Sequence, residues 1–170
     1  MHLQDLEICR YHPGPYCADS WQVPLRAVAW LAHGHAFETG PTASGLVAKL
    51  EAMLEQTNAA YPHYRFRGCM HCGLCLALDC PSPGPIWSQE NLLVPGAAAV
   101  YLAPGGIVHY IHEHAYRPPR EFMDAVLRCP EIGSPAYLAA LRSVNGGAEP
   151  PLQSIEQSRG MLARFVHRHD

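Results

Sequence analysis

Cys69, Cys72, Cys75 and Cys80 lie within one stretch of twelve residues, and thiolates separated by two residues converge readily on a single metal ion. Two chemistries compete for this stretch. The run Cys69-x2-Cys72-x2-Cys75, followed by Cys80 and Pro81, is close to the ferredoxin pattern in which four thiolates and a proline hold a cubane iron-sulfur cluster. It misses that pattern by one residue, because four residues rather than three separate Cys75 from Cys80. No second run is present to take a shared thiolate. Cys129 with Pro130 could supply a distant fourth ligand, but it falls on the apolar stripe of a predicted helix, where a small buried thiol is the simpler reading.

The second chemistry is zinc. Cys72 and Cys75 supply half of a tetrahedral site, and two imidazoles a few residues apart on a helix are its commonest completion. His109, His112 and His114 occur together downstream. His109 and His114 have the four-residue gap seen in such sites. On a straight helix they diverge by about 140°, so their convergence requires the last turn to loosen, which Pro118 and Pro119 could permit. His109 and His112, about 60° apart, are the geometric competitor. Cys69 or Cys80 could replace a histidine in a site of three or four thiolates, while Met70 and His71 read as residues that shape the turn or support the ligands rather than bind the ion. The plain alternative for Cys72 and Cys75 is a pair of buried thiols.

Four protein ligands would close the ion to substrate, whereas a catalytic zinc keeps one position for water. The nearest enzymatic pattern is the zinc deaminase signature, a His-x-Glu followed by Pro-Cys-x2-Cys. His35 and Glu38 precede Cys72 and Cys75 in the right order. They are separated by one residue too many, no proline precedes Cys72, and Thr39, Gly40 and Pro41 form a turn where the signature needs a helix. The pairs His33 with His35 and His112 with His114 are weak His-x-His spacings in a histidine-rich chain.

The elements that must position these groups follow from periodicity and punctuation. Leu25 to Leu31 reads as a short strand. Ser44 to Asn58 reads as a helix, with Leu46, Val47, Leu50, Met53, Leu54 and Thr57 on one face. Tyr64 to Arg67 alternates like a strand entering the cysteine loop, and Asp79 to Pro85 is loop by composition. Asn91 to Val94, Pro95 with Gly96, and Ala97 to Leu102 form a hairpin. A helix is expected from Ile107 to Tyr116, and another opens at Pro118 and Pro119, carries Phe122, Val126 and Cys129 on one face, and stops at Pro130. Ser134 and Pro135 are the N-cap and first turn of a further helix bearing Leu138, Leu141 and Val144, ended by Gly146 and Gly147. A last amphipathic helix begins at Ser154, with Gln157 closing a capping box.

At 170 residues, with 48% hydrophobic and 16% charged residues, the chain suits one domain with a proper core. A formal charge of -3 gives no electrostatic reason to expect nucleic acid. The first ten residues include acidic side chains and no apolar run, so they serve as neither secretory signal nor membrane span. Seven cysteines then read as ligands and buried thiols of a reducing cytoplasm rather than a disulfide framework.

Arg67-Gly68-x3-Cys72-x2-Cys75, Leu93 to Gly96, Val100-Tyr101-x-Ala103-Pro104, and His109-Tyr110-Ile111-x2-His114-x-Tyr116-x-Pro118-Pro119-x-Glu121-Phe122 together resemble a family of small uncharacterised bacterial proteins. Ala29-Trp30-Leu31-x2-Gly34-His35-x-Phe37-x-Thr39-Gly40 is similar to their opening, and the likeness spans residues 25 to 128. The resemblance implies Cys72, Cys75, His109 and His114 as the metal ligands and carries no established activity. Met70 stands where such proteins tend to have a histidine, a departure that weakens the case for a supporting role around the ion at that position.

The expected protein is an α+β fold in which a small β-hairpin or short sheet packs against several helices, stapled by one zinc ion. Residues 1–24 are a looped N-terminal lead-in, 25–147 the metal-binding domain, and 148–170 a linker and C-terminal helix. The expected role is binding or scaffolding around a structural zinc, with a protein partner or a second copy as the occupant of its surface. An iron-sulfur redox or sensor protein and a zinc-dependent hydrolase or deaminase are the alternatives.

Overall fold

The computed structural model describes residues 2–9, 21–62, 65–70, 72–78 and 88–152, with backbone alone at 65–70, 78 and 88. Strand β1 (Leu25–Ala27) is followed by helix α1 (Leu46–Ala60), strand β2 (Arg65–Met70), helix α2 (Gly73–Leu78) and strands β3 (Ser88–Pro95) and β4 (Val100–Pro104). Helices α3 (Ile107–His114), α4 (Arg120–Arg128) and α5 (Pro135–Val144) complete an α+β architecture. The strands form one four-stranded sheet in the order β1-β4-β3-β2.

β4 is buried at every residue because it is central: β1 pairs with it in parallel and β3 antiparallel. An apolar strand without alternation suits that position. The expected hairpin is present, but its second strand begins at Val100 rather than Ala97. Residues 96 to 99 make the turn, closed by the Gly96 N–H donating to the Ala99 carbonyl at 2.8 Å.

The strand expected over 25 to 31 stops at Ala27. Ala29 takes a left-handed φ of 63°, which breaks the ladder and turns its N–H to the Asp5 carboxylate at 2.9 Å. Residues 28 to 31 remain buried in the core. The described part of the lead-in, 2–9, contains no helix and runs beside β1, where the Cys9 N–H donates to the Leu25 carbonyl at 2.8 Å and the Ala27 N–H to the Glu7 carbonyl at 2.9 Å.

α1 starts at Leu46 instead of Ser44, since Gly45 lies in the left-handed region with φ 78°. It buries Leu46, Leu50, Met53 and Thr57, and α1, α4 and α5 all contact β3. The Tyr137 hydroxyl donates to the Leu93 carbonyl at 2.9 Å, and the Trp30 indole N–H donates to the Leu102 carbonyl at 3.1 Å, so both large side chains enter the core with their polar ends paired. α4 ends one residue earlier than its stripe suggested. Cys129 caps it in an extended conformation and is still buried. Ser134 caps α5, its side chain accepting the Tyr137 N–H at 3.2 Å. The expected loop at 79 to 85 and the last helix from Ser154 lie outside the described residues.

Strand directions decide where the cysteine loop goes. β3 is antiparallel to both β2 and β4, so β2 and β4 run the same way and their C-terminal ends leave the sheet together. β2 leads into Cys72 and β4 leads through Gly105 and Gly106 into α3. Residues 34 to 42 positions apart in sequence are thereby delivered to one end of the sheet.

Candidate metal centre

Cys72 stands at the start of α2. Its carbonyl accepts the Leu76 N–H at 3.1 Å, and its sulfur accepts the Cys75 N–H at 3.3 Å, which is the geometry of a helix N-cap with sulfur in place of oxygen. That bond fixes the Cys72 side chain, and the two sulfurs face the same side of the loop, both within 3.3 Å of His114 Nε2. Gly73, between them in the turn, has open space where a Cβ would stand, so its role is not forced by crowding.

α3 presents His109 and His114. Ile107 and Tyr110 anchor the helix in the core, and His109 is buried beside them. The helix keeps its form as far as His114, and the break comes one residue later, where Ala115 is left-handed with φ 50° and its N–H returns to the Tyr110 carbonyl. The loosening expected before the second histidine therefore occurs after it. His114 is the last helical residue, and no further helical turn covers its side chain. The two rings stand edge to face, with centroids 5.0 Å apart and planes at 81°.

The four donor atoms of Cys72, Cys75, His109 and His114 lie within 4.8 Å of one another. The Cys72 sulfur is 3.2 Å from His114 Nε2; the Cys75 sulfur is 3.3 Å from His109 Nε2 and 3.3 Å from His114 Nε2. Tetrahedral zinc with its usual bond lengths puts sulfur and nitrogen about 3.6 Å apart, close to these values. Hydrogen bonding alone accounts for the cluster poorly. His114 Nε2 has one lone pair or one proton, and it would have to serve both sulfurs at once. A cation at the centre satisfies all four donors together, and the cluster could hold a metal ion.

The electrostatics suit ligation. Burial lowers the His109 pKa, helped by the charge His114 would carry, and burial lowers that of His114 as well. Both imidazoles therefore stay neutral at neutral pH, the form that binds metals. Tyr110 is buried, and desolvation together with the neighbouring Cys72 and Cys75 pushes its phenol up to about 12. It is a neutral wall to the site that the cysteine and histidine pattern did not single out, although it adjoins His109 in sequence.

The end of α3 is held from the far side. The Tyr116 hydroxyl donates to both oxygens of Asp5, at 2.9 and 2.8 Å, while the Gly40 N–H donates to the Ala115 carbonyl at 3.0 Å and the Arg117 N–H to the Glu38 carbonyl at 2.8 Å. No sequence signal linked Asp5 to this helix, because the contact is long-range and involves a single ordinary acid.

The other sequence candidates fall elsewhere. His112 is exposed and is not in the cluster, so the geometric competitor points away from the sulfurs. His33, His35 and Glu38 are exposed. Glu38 lines a separate cavity of about 310 Å³ with His2, Gln4 and Asp5, and neither His35 nor Glu38 belongs to the donor set that the deaminase reading requires. Cys129 is buried among apolar side chains, which push its thiol up to about 11. The side chains of Cys69 and Met70, and residues His71 and Cys80, lie outside the described residues.

Residues 1–127 match a family described as a domain of unknown function, DUF7919. The chain belongs to that family. The family description names no metal and no activity, which agrees with the resemblance to uncharacterised proteins. No curated protein matches the chain, and neither does any solved structure. Among the described residues no helix is long and apolar enough to cross a membrane.

Proposed function

We propose that this member of the DUF7919 family binds one zinc ion through Cys72, Cys75, His109 and His114, and that the ion has a structural role. The observation that carries the reading is the convergence of two sulfurs and two imidazole nitrogens within 4.8 Å. Two sulfur and two nitrogen donors in a small tetrahedral cage favour zinc over hard cations, which prefer oxygen. The two imidazoles also weigh against a cubane cluster, whose usual ligand set is four thiolates. Zinc here supplies no open position for substrate; it ties the loop at 72 to 75 to α3.

The ion would stabilise the domain at 25–147 by joining segments that the sheet brings to one end, adding to the core contacts of Cys72, Leu74, Ile107 and Tyr110. Such a protein serves as a binding or scaffolding module, with a protein surface or a second copy as its partner. Thiols used as metal ligands, together with a Cys129 buried in the apolar core, suit a reducing compartment such as the cytoplasm.

Elemental analysis of protein grown without added metal, combined with X-ray absorption, tests the reading. One zinc with two sulfur and two nitrogen neighbours supports it. Iron, or zinc with an oxygen neighbour, overturns it in favour of a cluster or a catalytic site.

A further inference from the structure

We propose that the metal centre is also a peroxide-sensitive release device, in which Cys72 and Cys75 close to a disulfide and the ion is expelled. This rests on the zinc reading above and adds a regulation to the same site.

The geometry prepares the disulfide. Cys72 at the N-cap and Cys75 three residues on are one helical turn apart, so their Cα atoms are held about 5 Å apart, inside the range a disulfide spans. The Cys75 N–H bond holds the Cys72 sulfur in place, and both sulfurs lie within 3.3 Å of His114 Nε2, on one side of α2. Closure requires side-chain rotation and leaves the backbone of the turn in place.

The charges make closure and release one event. The two histidines are neutral ligands, so the two thiolates provide the whole negative charge of the ligand set, with Glu113 the nearby acid that acts on both imidazoles. Oxidation removes both at once and leaves two imidazoles, a set too weak to retain the ion in competition with water.

Access selects Cys75 as the thiol attacked first among those described, since Cys72 is itself buried. Cys75 is only half-buried, and next to it Leu76 is 71% exposed, so a small oxidant reaches the loop from solvent. Cys9 and Cys129 are 2% and 4% exposed. Cys129 is further protected by its high pKa, since the thiolate is the reactive form.

The chemistry balances with a hydroperoxide as oxidant. The Cys75 thiolate attacks one peroxide oxygen, the O–O bond breaks, and the leaving alkoxide or hydroxide takes a proton from solvent, giving a sulfenic acid on Cys75. The Cys72 thiolate then attacks the Cys75 sulfur, the S–S bond forms, and hydroxide leaves and is protonated to water. Two thiolates have lost two electrons, and the peroxide has gained them. A dithiol reductant reverses the sequence by thiol–disulfide exchange.

The experiment uses the full chain as purified. Metal content is measured first, and hydrogen peroxide is then titrated while a chromogenic chelator reports zinc, a thiol reagent counts free cysteines, and peptide mass mapping locates bonds. The expected result is about one zinc released for every two thiols lost, with a Cys72–Cys75 disulfide in the map and rebinding after dithiothreitol and zinc. Zinc retained under peroxide, sulfinic acids in place of the disulfide, or a bond from Cys72 or Cys75 to Cys69 or Cys80 would each overturn the switch while leaving the zinc site standing. Protein that contains no zinc before peroxide is added would overturn the metal reading itself, and the switch with it.

Discussion

His109 and His114 stand edge to face on the last turns of α3, each with Nε2 3.3 Å from the Cys75 sulfur, and only His114 also reaches the Cys72 sulfur, at 3.2 Å. Replacing His114 by alanine therefore removes the nitrogen that touches both thiols. Zinc affinity should fall by more than about 100-fold, beyond the 10- to 100-fold that loss of an outer partner costs. His112→Ala, at an exposed position, should leave affinity unchanged. Competition against a chelating dye measures both, and equal affinities for the two variants would exclude His114 from the shell.

The metal centre borders the apolar core, which reaches it through Cys72, Leu74, Ile107 and Tyr110, whereas β3 and β4 are held by their own ladder. Leu92 to Val94 and Val100 to Ala103 are buried in the sheet, so chelation should open the site locally and spare the sheet. Hydrogen exchange after metal removal is expected to speed up at residues 72 to 78 and 109 to 116 while the amides of β3 and β4 stay protected. Simultaneous loss of protection throughout would mean that the ion supports the whole fold.

Asp5 accepts two contacts from the Tyr116 hydroxyl and one from the Ala29 N–H. Asp5→Ala leaves the buried phenol and a backbone donor unpaired, at a cost of about 1–3 kcal/mol in urea unfolding. Burial outweighs those hydrogen bonds and raises the Asp5 pKa above 3.8. The folded chain then holds the proton to a higher pH than the unfolded chain does. Stability contributed by this group is full below 3.8 and declines as pH rises toward the raised value. Asp5→Asn should abolish that decline, and an unchanged pH profile in the variant would assign the slope to other groups.

Asn91 is fully buried on β3, and neither polar atom of its side chain has a hydrogen-bond partner. Such a group pays for desolvation without return, so Asn91→Leu should be neutral or stabilising by about 1–2 kcal/mol. A loss of stability in denaturant melts would reveal an internal water bound by the amide.

Gly96 closes the β3–β4 turn against the Tyr101 ring. A Cβ there would lie 2.6 Å from the ring edge and 2.9 Å from the Ala99 carbonyl oxygen, so Gly96→Ala should cost about 1–3 kcal/mol. Combining it with Tyr101→Val should cost less than the sum of the two single changes, because the smaller side chain clears the ring contact. Strict additivity would place the penalty on the carbonyl alone.

Much of the secondary structure is written locally. Ser134 and Pro135 specify the start of α5 because the capping bond is made within four residues, and the Pro95–Gly96 pair marks the turn of the hairpin for the same reason. The strand at 25 ends early because Ala29 turns left-handed to meet Asp5, and Asp5 lies on a segment whose path depends on the sheet. Helix α1 begins late because Gly45 adopts a positive φ that its neighbours in sequence do not demand.

The metal-binding chemistry follows the same division. The sequence alone determined that two thiols three residues apart share one side of a turn, since backbone geometry over one helical turn leaves little choice. Spacing and the family resemblance favoured His109 and His114 over His112, but helix rotation argued against that pair, because it says which residues diverge and not which way the helix faces. That choice belongs to tertiary structure: burial of Ile107 and Tyr110 orients α3, the Asp5–Tyr116 pair holds its end, and the common direction of β2 and β4 carries both segments to the same end of the sheet. Contacts between distant segments depend on the packing of the whole core, and no local pattern encodes them.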